Sequence, residues 1–122
     1  MHDALNKTGK SIYYGICNWG RHNLTGWAFE LGNSWRTTPD IYCAWESIMD
    51  NFIRNDEHPE IAAPGGWNDP DMLEIGNGCL TFTEERTHFA LWCVDKAPLL
   101  IGCDFDKASK ESLDIMKAKL LI

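Results

Sequence analysis

No apolar run in this chain approaches the ~18–20 residues that a membrane-spanning helix needs. Met1 is followed by His2 and Asp3, not by a basic and then an apolar segment, so no signal segment is expected at this end. Basic residues are few: 11 Lys and Arg stand against 18 Asp and Glu, a formal net charge of −7. Binding along a nucleic-acid backbone needs a basic face, and that composition argues against such a partner. No two of the five cysteines, Cys17, Cys43, Cys79, Cys93 and Cys103, are spaced Cys-x-x-Cys. None stands at ligand spacing from His2, His22, His58 or His88, which argues against a structural zinc site. Four of the cysteines sit in apolar or strand-like surroundings and are expected as buried free thiols.

Aromatic residues are the opposite case. Six Trp occur in 122 residues, and 44% of the chain is apolar, enough for one small domain with a core. Each Trp is either packing material or a flat platform for an apolar face such as a sugar ring, packing being the commoner use. The chain is organised around Pro64-Gly65-Gly66-Trp67-Asn68-Asp69-Pro70-Asp71-Met72-Leu73. Pro70 forces Asp69 out of the helical region, so this run is no regular helix. If the run is extended, Asp69 and Asp71 point the same way. Trp67 and Met72 beside two acids fit a strand end that delivers polar groups into a partly apolar pocket.

In chain order, Asp3 to Gly9 reads as the last turns of a helix with Gly9 as its stop. No cap precedes it, as in a piece of something longer. Ser11 to Trp19 is a near-continuous apolar run, expected as a strand buried on both faces. Leu24 to Leu31 has weak helical spacing. Asn33 to Thr38 is strand-like, and Ile41 to Ile53 has helical periodicity through Trp45, Ile48, Met49 and Phe52. Thr83 is the expected cap of a helix with Phe89, Ala90 and Cys93 as its buried stripe. Pro98 to Asp104 is expected as another buried strand, and Ser109 as the cap of a last helix with Leu113, Met116, Leu120 and Leu121 on one face. Two Asn-x-Thr sequons, at Asn6 and Asn23, permit a secretory origin and no more.

This alternation of strand and helix predicts an α/β fold with a parallel sheet, either half of an eight-unit barrel or an open four-strand sheet. Polar residues fall at the strand ends: Asn18, Arg36 with Asp40, Asp69 with Asp71, and Asp104. Parallel α/β folds place their chemistry there. Two carboxylates around one small polar substrate is the pattern of glycoside hydrolysis. Locally, Asp40 also reads as a helix cap and Asp69 as the closer of an Asx turn before Pro70. Asp71 has no such local role and no neighbouring base. A divalent metal held by the acids is a third reading, but it wants more oxygen ligands than can be assigned.

Cys17-Asn18-Trp19-Gly20, Gly32 to Thr38, Gly65 to Leu73 and Lys96 to Asp104 closely resemble the α-galactosidases of glycoside hydrolase family 27, the plant and fungal enzymes above all. The Gly-Gly-Trp-Asn-Asp-Pro-Asp-Met run is highly specific, and the resemblance extends over essentially the whole chain. It implies that residues 1–122 form part of a (β/α)8 TIM barrel, roughly strands 5 to 8 with their helices, without the family's C-terminal β-domain. It implies a retaining hydrolase of terminal α-linked galactose that uses no cofactor and no metal. Asp40 matches the general acid/base. Arg36, Asp71 and Met72 match sugar-binding residues, and Trp19 a wall beside the sugar. Asn18 stands where galactosidases carry a Glu that contacts the 2-position, which opens N-acetylgalactosaminidase-like specificity. The implied location is the secretory pathway: extracellular, cell wall, or vacuole and lysosome.

The resemblance also places the family's nucleophile, an Asp on strand 4, upstream of Met1. A retaining mechanism needs two carboxyls ~5–5.5 Å apart, and Asp40 supplies one. The isolated chain is therefore expected to be inactive. Four strands without closing partners expose an edge, so aggregation or a molten state is expected unless a second copy or the missing barrel half completes the fold. The alternatives are a non-catalytic sugar-binding relic and an unrelated open-sheet interaction domain.

Overall fold

A computed structural model describes residues 1–119. Three short strands, β1 (Gly15–Ile16), β2 (Ser34–Arg36) and β3 (Trp67–Asp69), form a parallel sheet in that order. Ser34 pairs with Gly15 on one side and Trp67 on the other, and Arg36 pairs with Asp69. Five helices accompany them: α1 (His2–Asn6), α2 (Ala28–Leu31), α3 (Trp45–Asn55), α4 (Phe82–Val94) and α5 (Lys110–Ile115). Short 3-10 turns cover Leu24–Gly26 and Pro59–Ile61. A single parallel bridge, Leu73 with Ile101, marks a fourth position in the βα order.

The central strand carries the order of the sheet. All three residues of β2 are buried, since strands flank it on both edges. Trp35 donates its indole N–H to Asn68 Oδ1 at 2.7 Å, which ties β2 to its register partner on β3 through side chains as well as backbone. Burial of that hydrogen bond makes a register slip costly, because both polar groups would lose their partner. Two apolar clusters follow. One joins Ile48, Leu73, Ile75, Phe89, Trp92, Ala97 and Ile115 beneath the segment after β3; the other joins Leu24, Ala28 and Trp35.

Several expected elements are shorter or shifted. Among the described residues, the run 11–19 pairs only at Gly15–Ile16, at the edge of the sheet, and Ile12 and Tyr13, which precede the strand, are exposed rather than buried. Leu24–Leu31 splits into a 3-10 turn and one turn of helix. Helix α3 begins at Trp45, not Ile41, and its cap position is Ala44. The backbone N–H groups of Ile41 and Tyr42 are taken by Asp71 Oδ2 and Ser47 Oγ, and the Ala44 N–H bonds to the Tyr42 carbonyl at 2.8 Å, so this stretch forms a turn ahead of the helix. Asp40 is therefore no helix cap. Thr81, not Thr83, caps α4, in a reciprocal capping box with Glu84. The buried face of α4 is Glu85, His88, Phe89 and Trp92, one face at helical spacing. Pro98 to Asp104 makes only the bridge at Ile101, with Leu100 and Ile101 exposed. Gly9 at φ +69° stops α1, and Ser109 caps α5, both as expected. Leu120 and Leu121 lie outside the described residues.

The cysteines differ most from expectation. Cys43, in the loop between β2 and α3, and Cys79, in the loop before α4, form a disulfide with their Cα atoms 5.8 Å apart. Cys17 is exposed, and Cys93 and Cys103 are partly buried free thiols. Cys43 shared its apolar context with Cys17, Cys93 and Cys103 in sequence, but the fold brings its loop beside that of Cys79. Closing 36 residues of chain stabilises the fold by about 2–4 kcal/mol, chiefly by restricting the unfolded ensemble. Thiol titration of the unfolded, unreduced chain is expected to count three free thiols, and a Cys43→Ser, Cys79→Ser double variant to unfold at lower denaturant. Five titrating thiols would exclude the bond.

Candidate active site

The C-terminal ends of β2 and β3 meet at one guanidinium. Arg36, the last residue of β2, keeps only a tenth of its side chain exposed. Its Nη2 lies 2.6 Å from Asp71 Oδ2 and 3.1 Å from Asp40 Oδ1. The same nitrogen donates to the Pro39 carbonyl at 2.9 Å. A buried cation needs paired charge and satisfied donors, and this one has two carboxylates and the chain's own carbonyls. Its Nε is buried without a partner.

The two carboxylates differ in environment. Asp40 leaves 68% of its side chain exposed, and its Oδ1 also accepts the Trp19 indole N–H at 3.1 Å. Asp71 is buried, and each of its oxygens has a donor. Its Oδ2 takes Arg36 and the Ile41 N–H at 2.8 Å, and its Oδ1 takes the Met72 N–H at 2.8 Å. The backbone of Asp71 is at φ +90°, a region that non-glycine residues enter at a cost of order 1–3 kcal/mol and keep only when surroundings over-determine it. The surroundings do so here. Its N–H donates to Asp69 Oδ1 at 2.9 Å, and its carbonyl accepts the Trp92 indole N–H at 2.8 Å.

That turn corrects the expectation that Asp69 and Asp71 project together. The chain stops being extended after Asp69, so the Asp69 carboxylate folds back onto the Asp71 N–H as an Asx turn. Burial raises the pKa of Asp69; the Asp71 N–H and the Arg36 charge pull the other way. Asn51 braces the same turn, donating to the Pro70 carbonyl at 2.9 Å.

The structure thus joins Trp19, Arg36, Asp40 and Asp71 in one network of hydrogen bonds and ion pairs. Met72 follows directly and is exposed. Asn18 does not bond to any of the four: its Nδ2 donates to the Arg21 carbonyl at 2.7 Å, and its Oδ1 is buried without a partner. Trp19 itself is at φ +58°, with the Arg21 guanidinium 5.1 Å from its ring centre. Gly20 donates its N–H to the Arg36 carbonyl at 2.8 Å and is at φ +71°. A Cβ there would sit 2.5 Å from the Thr37 carbonyl oxygen, so only glycine fits. Ile41, Asn51, His88 and Trp92 were not legible as site residues. The polar atoms of His88 and Trp92, four apart on the buried helix face, are the one signal that could have found two of them. Among the described residues, no three His, Cys, Asp or Glu side chains converge as a metal site. A groove between α4 and α5, lined by Thr83, Arg86, Phe89 and Ile115 among others, presents no carboxylate.

A strand-end site on a parallel α/β scaffold is where enzymes of this fold class carry their chemistry. The sequence profile of the family described as Alpha galactosidase A (Melibiase_2) matches residues 1–122. Alpha-galactosidase 3 of Arabidopsis thaliana is 52% identical over 122 residues, 100% of this chain and 28% of that protein. Among solved structures, alpha-galactosidase I of Mortierella vinacea superposes with a TM-score of 0.86 at 32% identity, over 100% of this chain and 36% of that one. The Saccharomyces cerevisiae α-galactosidase solved with raffinose superposes with a TM-score of 0.81 at 36% identity, over 94% and 30%. The chain belongs to the α-galactosidase family, glycoside hydrolase family 27. It spans about three tenths of the length of the curated relatives it matches, and its fold is a fragment of their TIM barrel.

His88 gives the site's surroundings a pH dependence. The imidazole is fully buried, its Nε2 accepts the Glu74 N–H at 3.0 Å, and burial pulls its pKa down to about 4. Below the ordinary value of 6.5 the unfolded chain takes up a proton that the folded chain refuses. Stability from His88 is therefore whole above about pH 6.5 and drains as pH falls to about 4, by about 3 kcal/mol across the window. The raised pKa values of Asp69 and Asp95 act in the opposite sense, their contribution being lost as pH climbs above the ordinary carboxylate range. His88→Gln, which keeps an acceptor for Glu74, is expected to flatten or reverse the fall in Tm between pH 6.5 and 4.5. An unchanged slope in thermal melts would count against this assignment.

Proposed function

We propose that the chain is the acid/base-bearing part of an α-galactosidase that removes terminal α-linked galactose with retention, and that it corresponds to strands 5 to 8 of the barrel. The observation that carries this reading is the Arg36 guanidinium bridging Asp40 and Asp71 at the ends of adjacent strands. The two acids then divide the work. Asp40 is the one with solvent access, so it can give a proton to the leaving oxygen and take one back from water. Asp71 has both oxygens occupied by fixed donors, which suits it to receive a sugar hydroxyl and unsuits it to attack carbon. The nucleophile is therefore a carboxylate elsewhere in the barrel, about 5–5.5 Å from Asp40 across the sugar. Arg36 holds both acids in place, Trp19 anchors Asp40, and the exposed Met72 offers an apolar edge beside Asp71. The partner is an α-galactoside, and raffinose bound by the yeast relative supports that class. The secretory pathway is the proposed location.

Asn18 carries a second reading. An amide in place of a carboxylate keeps polarity and loses the charge, which opens N-acetylgalactosaminidase-like preference. Calorimetry on the 122-residue chain is expected to show galactose binding that Asp71→Asn weakens at least tenfold. N-acetylgalactosamine binding more tightly than galactose would select the second reading. Hydrolysis of an aryl α-galactoside by this chain alone is expected to be negligible. Turnover that Asp40→Ala abolishes would refute the placement of the nucleophile outside these residues.

A further inference from the structure

The segment from Asp71 to Glu74 leaves β3 at a positive φ and still delivers a carboxylate to a fixed point, yet the sheet supports only its middle. Leu73 exchanges backbone bonds with the opposite segment, its N–H to the Leu100 carbonyl at 2.8 Å and its carbonyl to the Gly102 N–H at 3.1 Å. The two ends of the segment are held by helix α4 instead. The Trp92 indole N–H donates to the Asp71 carbonyl at 2.8 Å, and His88 Nε2 accepts the Glu74 N–H at 3.0 Å. Positions 88 and 92 are one helical turn apart, so their side chains lie on one face. They also lock each other: the two rings meet edge to face with centroids 4.1 Å apart, and neither has any solvent exposure.

We infer that Trp92, seconded by His88, is a positioning residue for Asp71: its indole N–H fixes the Asp71 peptide in the left-handed conformation that aims the carboxylate at Arg36 and the Ile41 N–H. This rests on the reading of Asp71 as a sugar-binding residue. The logic is geometric. A non-glycine residue at φ +90° relaxes unless its peptide groups are pinned on both sides. The Asp69 carboxylate pins the N–H, and Trp92 alone among the described hydrogen bonds pins the carbonyl. Without that bond, the Asp71 carbonyl is left buried against an apolar wall and the favoured response is rotation of the peptide. Rotation carries the carboxylate away from Ile41.

Hydrogen–deuterium exchange of the full 122-residue chain, read peptide by peptide, tests this. In the unmodified chain, peptides over 39–42 and 69–74 are expected to be protected. Trp92→Phe keeps a ring and removes the donor; exchange over those peptides is expected to rise at least tenfold while β2 stays within twofold. Because Trp92→Phe can lose the fold, the same comparison is made with a benzothienyl-alanine at position 92, which replaces the N–H by sulfur at nearly constant shape. Selective loss in either variant supports the inference. Protection that is unchanged, absent from the start, or lost over the whole chain in the benzothienyl form overturns it. A parallel calorimetric arm expects galactose affinity to fall about tenfold in the variant that keeps its fold. If the unmodified chain binds no galactose, the substrate reading of Asp71 fails, while the exchange data still decide the role of Trp92.

Discussion

One guanidinium sets the terms for everything around it. Arg36 is nearly buried at the end of the central strand, where an unpaired cation would be intolerable. The carboxylates of Asp40 and Asp71 must therefore come to it, and each requires its own chain path. For Asp40 the path is the irregular stretch 39–44, whose Ile41 N–H bonds to Asp71 and whose Tyr42 N–H bonds to Ser47. For Asp71 it is a strained residue and an Asx turn. The ends of the two strands are irregular because a regular continuation of either would miss the cation. Regular secondary structure is sacrificed where the charges converge, and the loss is offset by hydrogen bonds to the freed backbone groups.

The helices supply what the short sheet cannot. Three strands of two or three residues each would be marginal alone. Helix α3 contributes Ile48 to the core and Asn51 to the Pro70 carbonyl; helix α4 contributes Phe89 and Trp92 to the core and two hydrogen bonds to the segment after β3. Each helix thus serves packing and positioning from one face. That explains why polar residues sit in the buried stripe of α4, where a purely apolar pattern was expected.

Much of this was legible in the sequence, and the reasons for success and failure are physical. Turns and caps set by local chemistry were readable: Gly9, Ser109 and the Asx turn at Asp69 depend on residues within a few positions. The specificity of the Gly65 to Leu73 run fixed the family, and hence the acids worth watching. What depended on distant neighbours was not readable. Burial of 11–19 assumed cover on both faces of the strand, which distant parts of a fold supply and which Ile12 and Tyr13 do not have here. Asp40 looked like a cap because Pro39 precedes it and a periodic stretch follows it, but its carboxylate turns to Arg36 and Trp19, and the Ile41 N–H bonds to Asp71, thirty residues on. The pairing of Cys43 with Cys79 is likewise a property of two loops meeting in space. The roles of His88 and Trp92 lay in their polar atoms, which a periodicity argument treats as blemishes on an apolar face.

The donors around Asp71 have a directional meaning. Three fixed N–H donors and none that can reverse surround its oxygens, so the carboxylate can add partners only by accepting. Any group that lodges against it must bring its own hydrogen. A hydroxyl can do this; an ether oxygen or a fluorine in the same place cannot. The wall therefore sorts ligands by the polarity of the hydrogen bond they offer, a selectivity written by backbone amides and an arginine before any ligand arrives.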